Sequence, residues 1–117
     1  MDAARLQNWI WVGYADDVPL ATTRIVHAGQ GDIALFRAGQ GRVYALLDRC
    51  PCHGRRLSDG IVMGVDIVCP ERCVQVSLAT GETQRGPAGY VPRYPTRIAD
   101  GRLYLGLAAL PRGEALG

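Results

Sequence analysis

Hydrophobic and polar positions alternate over short stretches of this chain, as they do in β-strands. The runs are rich in β-branched and aromatic residues, and the chain has no long segment with the apolar spacing of an amphipathic helix. The clearest case is Val74-Gln75-Val76-Ser77-Leu78, whose strict alternation predicts a strand with one buried face. The predicted strands are residues 9–12, 23–27, 32–37, 43–47, 61–63, 67–68, 74–78, 94–98 and 103–107.

Turn-forming residues separate several of these strands. Gly29-Gln30-Gly31, Gly39-Gln40-Gly41 and Asp100-Gly101 each predict a hairpin turn. Short strands joined by such turns predict an all-β fold, in the form of a small β-sandwich or a partly open barrel. The 117 residues suit one domain over residues 1–117, with loosely ordered tails at 1–7 and 108–117. The second tail could instead dock on a partner.

Composition and charge exclude several classes of function. The net charge is only +2 and the basic residues are dispersed, so we expect no nucleic-acid partner. No apolar stretch is long enough to span a bilayer, and Met1-Asp2-Ala3-Ala4-Arg5 does not read as a signal peptide. We therefore expect a cytoplasmic protein that does not bind a membrane. Because thiols stay reduced in the cytoplasm, clustered cysteines favour metal binding over a disulfide framework.

Two short loops hold all four cysteines and one of the two histidines. They read Cys50-Pro51-Cys52-His53-Gly54 and Cys69-Pro70-Glu71-Arg72-Cys73. The segment 55–68 between them has the length of a β-hairpin, which would bring both loops to one end of a sheet. We expect the Cα atoms of Cys50 and Cys69 to lie within about 10 Å of each other, since a shared metal or a disulfide would require it.

These loops resemble those of the Rieske family, in which the first reads Cys-x-His and the second Cys-x-x-His. In that family two cysteines hold one iron of a [2Fe–2S] cluster and two histidines hold the other. Cys50 and Cys69 match the two cysteines by position. Cys52 and Arg72 stand where the histidines belong, and His53 and Cys73 follow these positions by one residue.

The resemblance extends over most of the chain. The segments 9–19, 33–46, 77–82 and 94–104 look like the opening strand, the hairpin into the first loop, the stretch after the second loop and the closing hairpin of the family. Within the family, Phe-Arg-x-Gly-x-Gly-Arg-Val-Tyr-Ala-Leu and Tyr-Pro-x-Arg are most similar to the small subunit of bacterial NAD(P)H-dependent nitrite reductase. In that subgroup cluster ligands are sometimes absent.

Three occupants of the loops stay open. The first is a [2Fe–2S] cluster held by Cys50, Cys52, Cys69 and Cys73, with His53 as a substitute ligand in the first loop. Four thiolates would lower its potential towards the plant-ferredoxin range of roughly −400 mV. The second is zinc on the same four cysteines, because tetrahedral sulfur ligation suits that ion. The third is no metal, with the cysteines serving as small apolar core residues.

The resemblance implies an electron-transfer or accessory small subunit of an oxidoreductase complex, similar to the nitrite reductase small subunit. Its partner would be a larger redox subunit carrying flavin, sirohaem and its own iron–sulfur cluster. One alternative is a cluster-free interaction module of the same fold, and another is a Rieske ferredoxin serving a dioxygenase. No motif of an independent catalytic site is visible in the sequence.

Two sets of residues are candidates for contact with such a partner. Trp9 and Trp11 share one face of a predicted strand, where they would be core residues or interface anchors. The loop end would offer an apolar centre with a basic rim. Its residues are Pro51, Leu57, Pro70, Arg55, Arg56 and Arg72.

Overall fold

Eleven short strands dominate the computed structural model, which describes residues 8–18, 23–51, 55–70 and 74–112. The strands are β1 (Trp9–Tyr14), β2 (Thr23–Ala28), β3 (Gly31–Arg37), β4 (Val43–Leu47), β5 (Ile61–Met63), β6 (Asp66–Val68), β7 (Gln75–Ser77), β8 (Thr83–Arg85), β9 (Arg93–Tyr94), β10 (Thr96–Ala99) and β11 (Arg102–Gly106). Single 3₁₀ turns lie at Ala15–Asp17 and Leu57–Asp59. Within these residues no helix is long and apolar enough to cross a membrane.

The strands form three antiparallel sheets. The terminal sheet has the order β1-β11-β10, the central sheet β2-β3-β4-β9 and the loop sheet β5-β6-β7-β8. No closed barrel forms among the described strands. The all-β prediction is confirmed, and of its two forms the structure takes the open one.

The central sheet is covered on both faces, which divides the core in two. Ile33, Ala34, Leu35 and Phe36 are all fully buried, although successive residues of a strand point to opposite faces. Ala34 and Phe36 join one core cluster with residues of the loop sheet, whereas Ile33 and Leu35 join another with Leu103 and Leu105 of the terminal sheet. A strand buried on both faces reads as a continuous apolar run, which is how this segment reads.

Most predicted strands and turns are confirmed. Val74, Val76 and Leu78 are buried and Gln75 and Ser77 are partly exposed, as the alternation predicts. The predicted strand 94–98 is wrong as a single element, because the chain changes sheet at Pro95. Pro95 has no N–H for a ladder, and its carbonyl accepts a hydrogen bond from Gly106 of β11 (2.9 Å). Strand β8 was not predicted.

The chain after β11 is attached to the domain as far as Arg112. Arg93 is fully buried, and its guanidinium donates to the carbonyl oxygens of Ala79 (2.7 Å) and Pro111 (2.8 Å). Arg112 pairs with Glu82 at 2.8 Å, and this contact lowers the pKa of Glu82. Residues 108–112, which the sequence assigns to a loosely ordered tail, are thus held against the domain. The predicted tail 1–7 and residues 113–117 lie outside the described residues.

Gly60 allows a close backbone approach to the strand that leads into the second cysteine loop. It follows the 3₁₀ turn Leu57–Asp59, and a Cβ atom there would lie 2.1 Å from the carbonyl oxygen of Val68 and 3.1 Å from that of Leu57. Val68 immediately precedes Cys69. Any side chain at position 60 would therefore push on the backbone that leads into the second loop.

Replacement of Gly60 by alanine should destabilise the fold by about 1–3 kcal/mol, the usual cost of overpacking. The backbone oxygen of Val68 cannot rotate away as a flexible side chain would. Urea unfolding of wild type and variant measures the difference. Gly29→Ala is the matched control, because a Cβ atom there meets nothing within 4 Å and its effect should stay within about 0.5 kcal/mol. Equal stability of both variants would contradict the tight approach.

Candidate metal centre

Two buried sulfur atoms meet at the ends of two different strands. Cys50 follows β4 and Cys69 follows β6, and their Sγ atoms lie 2.9 Å apart. Each residue is 1% exposed and belongs to the core cluster between the central and loop sheets. The structure therefore brings together the two cysteines that hold the family positions.

The chemistry of this pair fits the thiolate side of a metal centre. The separation of 2.9 Å exceeds the roughly 2.05 Å of a disulfide bond, so the two sulfurs are neighbours without being bonded to each other. Two sulfur ligands from different loops, side by side in an apolar setting, suit one iron of a [2Fe–2S] cluster or half of a zinc site.

The other predicted ligands lie outside the described residues. These ligands are Cys52, His53 and Cys73, and Arg72 lies outside as well. Among the residues that are described, no group of three or more His, Cys, Asp or Glu side chains gathers as a metal site. Cys50 and Cys69 are thus the described half of the candidate centre.

The two loops are closed at their bases in the same way. The amide of Cys50 donates to the carbonyl oxygen of Arg55 (2.5 Å), and the amide of Cys69 donates to that of Val74 (2.9 Å). In both loops the cysteine bonds to the residue five positions later. Each sulfur is therefore carried by a backbone that is tied across its own loop.

Asp48 fastens the two ends of the first loop. Its side chain is fully buried and accepts hydrogen bonds from the amide of Ser58 (2.7 Å), the hydroxyl of Ser58 (2.7 Å) and Nε of Arg56 (3.1 Å). Asp48 precedes Cys50 by two residues, and its partners follow the loop. Sequence reasoning missed this residue, although an acidic residue between a buried strand and a cysteine loop is a signal for it.

The polar contacts continue from Arg56 to the surface. Arg56 also approaches a carboxylate oxygen of Asp32 at 3.3 Å, and the other oxygen of Asp32 contacts Nδ1 of His27 at 2.7 Å. Arg56 is half-exposed, and its charge faces two carboxylates. Arg56 therefore stabilises the base of the first loop and has little charge left to attract a partner.

Leu57 does not belong to the apolar docking centre that the sequence predicts at the loop end. It is 0% exposed and packs in the core cluster with Cys50 and Cys69, so placing it on a docking surface was wrong. The physical reason is the 3₁₀ turn at Leu57–Asp59, which turns this side chain inward beneath the loop. Pro51 and Arg55 are exposed and Pro70 is partly exposed, as that expectation requires.

The segment around Gly89 packs against Pro51 of the first loop. A Cβ atom at Gly89 would lie 2.9 Å from Cβ of Pro51, and the carbonyl oxygen of Gly89 accepts hydrogen bonds from the amide (3.1 Å) and hydroxyl (3.0 Å) of Thr83. Thr83 begins β8, the strand that the sequence did not predict. Strand β8 thus fixes the segment that supports Pro51.

Sequence relatives of this chain include two ferredoxins of dioxygenase systems. The ferredoxin component of the naphthalene 1,2-dioxygenase/salicylate 5-hydroxylase systems of Ralstonia sp. is 31% identical over 100 residues, covering 85% of this chain and 95% of the relative. The anthranilate 1,2-dioxygenase ferredoxin subunit of Burkholderia cepacia is 33% identical over 108 residues, covering 88% and 95%.

Solved structures with the same fold include a dioxygenase ferredoxin complex and a protein assigned as a nitrite reductase small subunit. A chain in a complex of reduced oxygenase and oxidized ferredoxin of carbazole 1,9a-dioxygenase is 28% identical, with a TM-score of 0.80 over 91% of this chain and 99% of that one. A Mycobacterium tuberculosis protein assigned as an NADH-dependent nitrite reductase small subunit is 26% identical, with a TM-score of 0.78 over 89% and 98%. The family model of the Rieske-like [2Fe–2S] domain matches residues 8–106. On this match and these relatives, the chain belongs to the Rieske-like [2Fe–2S] domain family.

Proposed function

We propose that this chain is the electron-transfer small subunit of a larger cytoplasmic oxidoreductase and that its loops hold a [2Fe–2S] cluster. The observation that carries the proposal is the buried pair of sulfurs, Cys50 and Cys69, 2.9 Å apart at the two family positions. Each loop is closed by the amide of its cysteine, and the buried carboxylate of Asp48 fastens the two ends of the first loop, so both sulfurs are held in place.

The ligand roles follow from the sequence of the two loops. Cys50 and Cys69 would hold one iron, and Cys52 and Cys73 would hold the other, with His53 as the substitute ligand in the first loop. When bound, the cluster accepts and releases one electron. Exchange of two neutral imidazoles for two thiolates makes the centre more negative, which lowers its potential towards roughly −400 mV.

The chain's own residues keep the centre dry and fixed. The sulfurs of Cys50 and Cys69 are buried among apolar side chains, which excludes water from that side. Asp48 holds the two ends of the first loop together, and Gly89 lies against Pro51 on top of it. A rigid setting of this kind reduces the rearrangement that accompanies electron transfer.

A diffusing ferredoxin of a dioxygenase is the second candidate function. The ferredoxin relatives from Ralstonia sp. and Burkholderia cepacia, 31% and 33% identical, favour it. The replacement of both histidine positions, by Cys52 and Arg72, favours the nitrite-reductase-type subunit, because the resemblance ties the ferredoxin role to a two-histidine centre. The metal content of the purified protein decides whether the chain is instead a cluster-free module of the same fold.

Anaerobically purified protein should contain about two iron and two sulfide per chain, the stoichiometry of a [2Fe–2S] cluster. Its visible spectrum should show the absorption of a thiolate-bound cluster, which bleaches on reduction. Elemental analysis and absorption spectroscopy on one preparation measure both. A colourless protein with about one zinc per chain, or with no metal, would contradict the proposal and favour the zinc site or the cluster-free module.

Substitution of Cys50 or Cys69 by serine should abolish the bound cluster, because each removes a ligand from the pair that the fold fixes. Cys52→Ser and Cys73→Ser should lower the iron content, and His53→Ala should have the smaller effect. Iron content and the visible spectrum of each purified variant check this. If His53→Ala bleaches the protein and Cys52→Ser does not, His53 replaces Cys52 as the ligand of the first loop.

Asp48→Asn should make the cluster leave the protein faster. The change removes the charge that accepts three hydrogen bonds at the loop base, and hydrogen bonds to charged groups contribute about 1.5–3 kcal/mol each. The measurement is the rate of bleaching by an iron chelator under native conditions. Asp66→Asn is the matched control, since Asp66 is a partly buried carboxylate that bonds Gln75 in the loop sheet. Equal rates for both variants would remove Asp48 from the support of the centre.

A further inference from the structure

The outward face of the terminal sheet carries three aromatic residues and two arginines in register. Trp11 of β1 pairs with Tyr104 of β11, which pairs with Arg97 of β10. Tyr14 pairs with Arg102 in the next outward row. We call Trp11, Tyr14, Tyr104, Arg97 and Arg102 the aromatic–arginine face. Leu103, which lies between the two rows on β11, points inward to the core.

Large aromatic surface on this face is open to solvent. Trp11 is 56% exposed and Tyr14 is 51% exposed, and their rings meet edge to face at 5.6 Å. Two grooves of about 310 and 340 Å³ lie on the two sides of Tyr104. The first is lined also by Trp9 and Arg97, and the second by Trp11 and Arg102. The face therefore offers shaped recesses as well as exposed rings.

The charge on the face has one sign. No Asp or Glu lies in the three strands. Asp17, just beyond the end of β1, accepts a hydrogen bond from the amide of Tyr14 (2.9 Å) and pairs with Arg24. Within the described residues no ion pair involves Arg97 or Arg102, whereas Arg24, Arg56 and Arg112 are all paired with carboxylates. Both arginines are exposed.

We propose that the aromatic–arginine face is the surface by which this subunit is anchored to an acidic, apolar patch of the larger oxidoreductase subunit. Tryptophan, tyrosine and arginine are the residue types that dominate binding energy at protein interfaces. The rings would fill apolar recesses of the partner, and its carboxylates would pair with Arg97 and Arg102 at the edges. The inference rests on the proposed function for the identity of the partner.

The charge pattern decides between a different partner and a second copy of this chain. In a two-fold dimer built on this face, the same patch would face itself. Arg97 and Arg102 of both copies would then share one interface without a carboxylate among the face residues to pair with, and like charges across an interface are repulsive. A complementary acidic surface removes this repulsion, so the face fits another protein.

The anchoring face and the electron-transfer end are formed by different sheets. The cysteine loops begin at the ends of β4 and β6, whereas this face belongs to β1, β10 and β11. A permanent subunit needs an apolar interface that stays buried, while a diffusing carrier needs only a brief contact near its cluster. An anchoring surface separate from the loops therefore favours the permanent subunit over the diffusing ferredoxin.

The test is affinity capture of the tagged full chain from extracts of its own organism, with mass-spectrometric identification of what binds. The double variant Trp11→Ser/Arg97→Glu changes the proposed face. The double variant Met63→Ser/Arg85→Glu is the matched control, because it also changes one exposed apolar residue and one exposed arginine, on the loop sheet. Thermal unfolding is used to check that both variants are folded, and light scattering to measure the oligomeric state of the purified chain.

We expect wild type to capture a larger flavin-, haem- or iron-containing oxidoreductase and to be monomeric on its own. Capture should fall at least tenfold in the Trp11→Ser/Arg97→Glu variant, since loss of an interface anchor typically has at least that effect. It should change less than about twofold in the loop-sheet control. Loss of capture in the control alone or equally in both variants, capture of no oxidoreductase, or a dimer that the Trp11→Ser/Arg97→Glu change dissolves would each overturn the inference.

Iron and sulfide content of the captured chain separates this inference from the proposed function. Face-dependent capture of a chain without iron would leave the anchoring face standing and remove electron transfer. If the captured chain contains iron but its capture does not depend on the face, electron transfer would stand and the anchoring face would be overturned. The two proposals therefore fail through different measurements.

Discussion

The structure depends on burying two cysteines from separate loops side by side in an apolar core. Cys50 and Cys69 lie nineteen residues apart in sequence, and their sulfurs are 2.9 Å apart at 1% exposure. Backbone polar groups cannot enter such a place without hydrogen-bond partners. The chain meets this condition at both cysteines, because each cysteine amide donates a hydrogen bond across the base of its own loop.

The surroundings of the pair follow from that requirement. Gly60 lets the turn after the first loop touch the backbone before the second, and a Cβ atom there would sit 2.1 Å from the oxygen of Val68. Asp48 would be costly to bury alone, but three hydrogen bonds and the charge of Arg56 compensate it. Without these contacts the first loop would have an open base. The strands β4 and β6, which precede the two cysteines, then keep the sulfurs in fixed positions relative to each other.

Sequence patterns predicted the local elements well and the contacts between distant segments less well. The alternation at 74–78 and the three glycine-containing turns are local signals, and the structure follows them. The change of sheet at Pro95, the inward turn of Leu57 and the role of Asp48 depend on what packs beside each residue, and this is not written in the neighbouring sequence. The pairing of Cys50 with Cys69 was predictable because two similar loops with a hairpin between them constrain each other. The positions of Cys52, His53 and Cys73 lie outside the described residues and stay predictions.

The ligand types in the loops have an electrostatic consequence for the whole loop end. If thiolates replace both imidazoles, each replacement adds one negative charge to a centre that is half buried in apolar surroundings. Arg56 cannot offset this charge, because Asp48 and Asp32 already face it. Arg49 and Arg55, which flank the first loop in sequence, are the cations beside it whose side chains reach solvent. A centre with four thiolates would hold its extra electron less tightly than one with two imidazoles, so it would be better suited to donate electrons to a partner than to collect them.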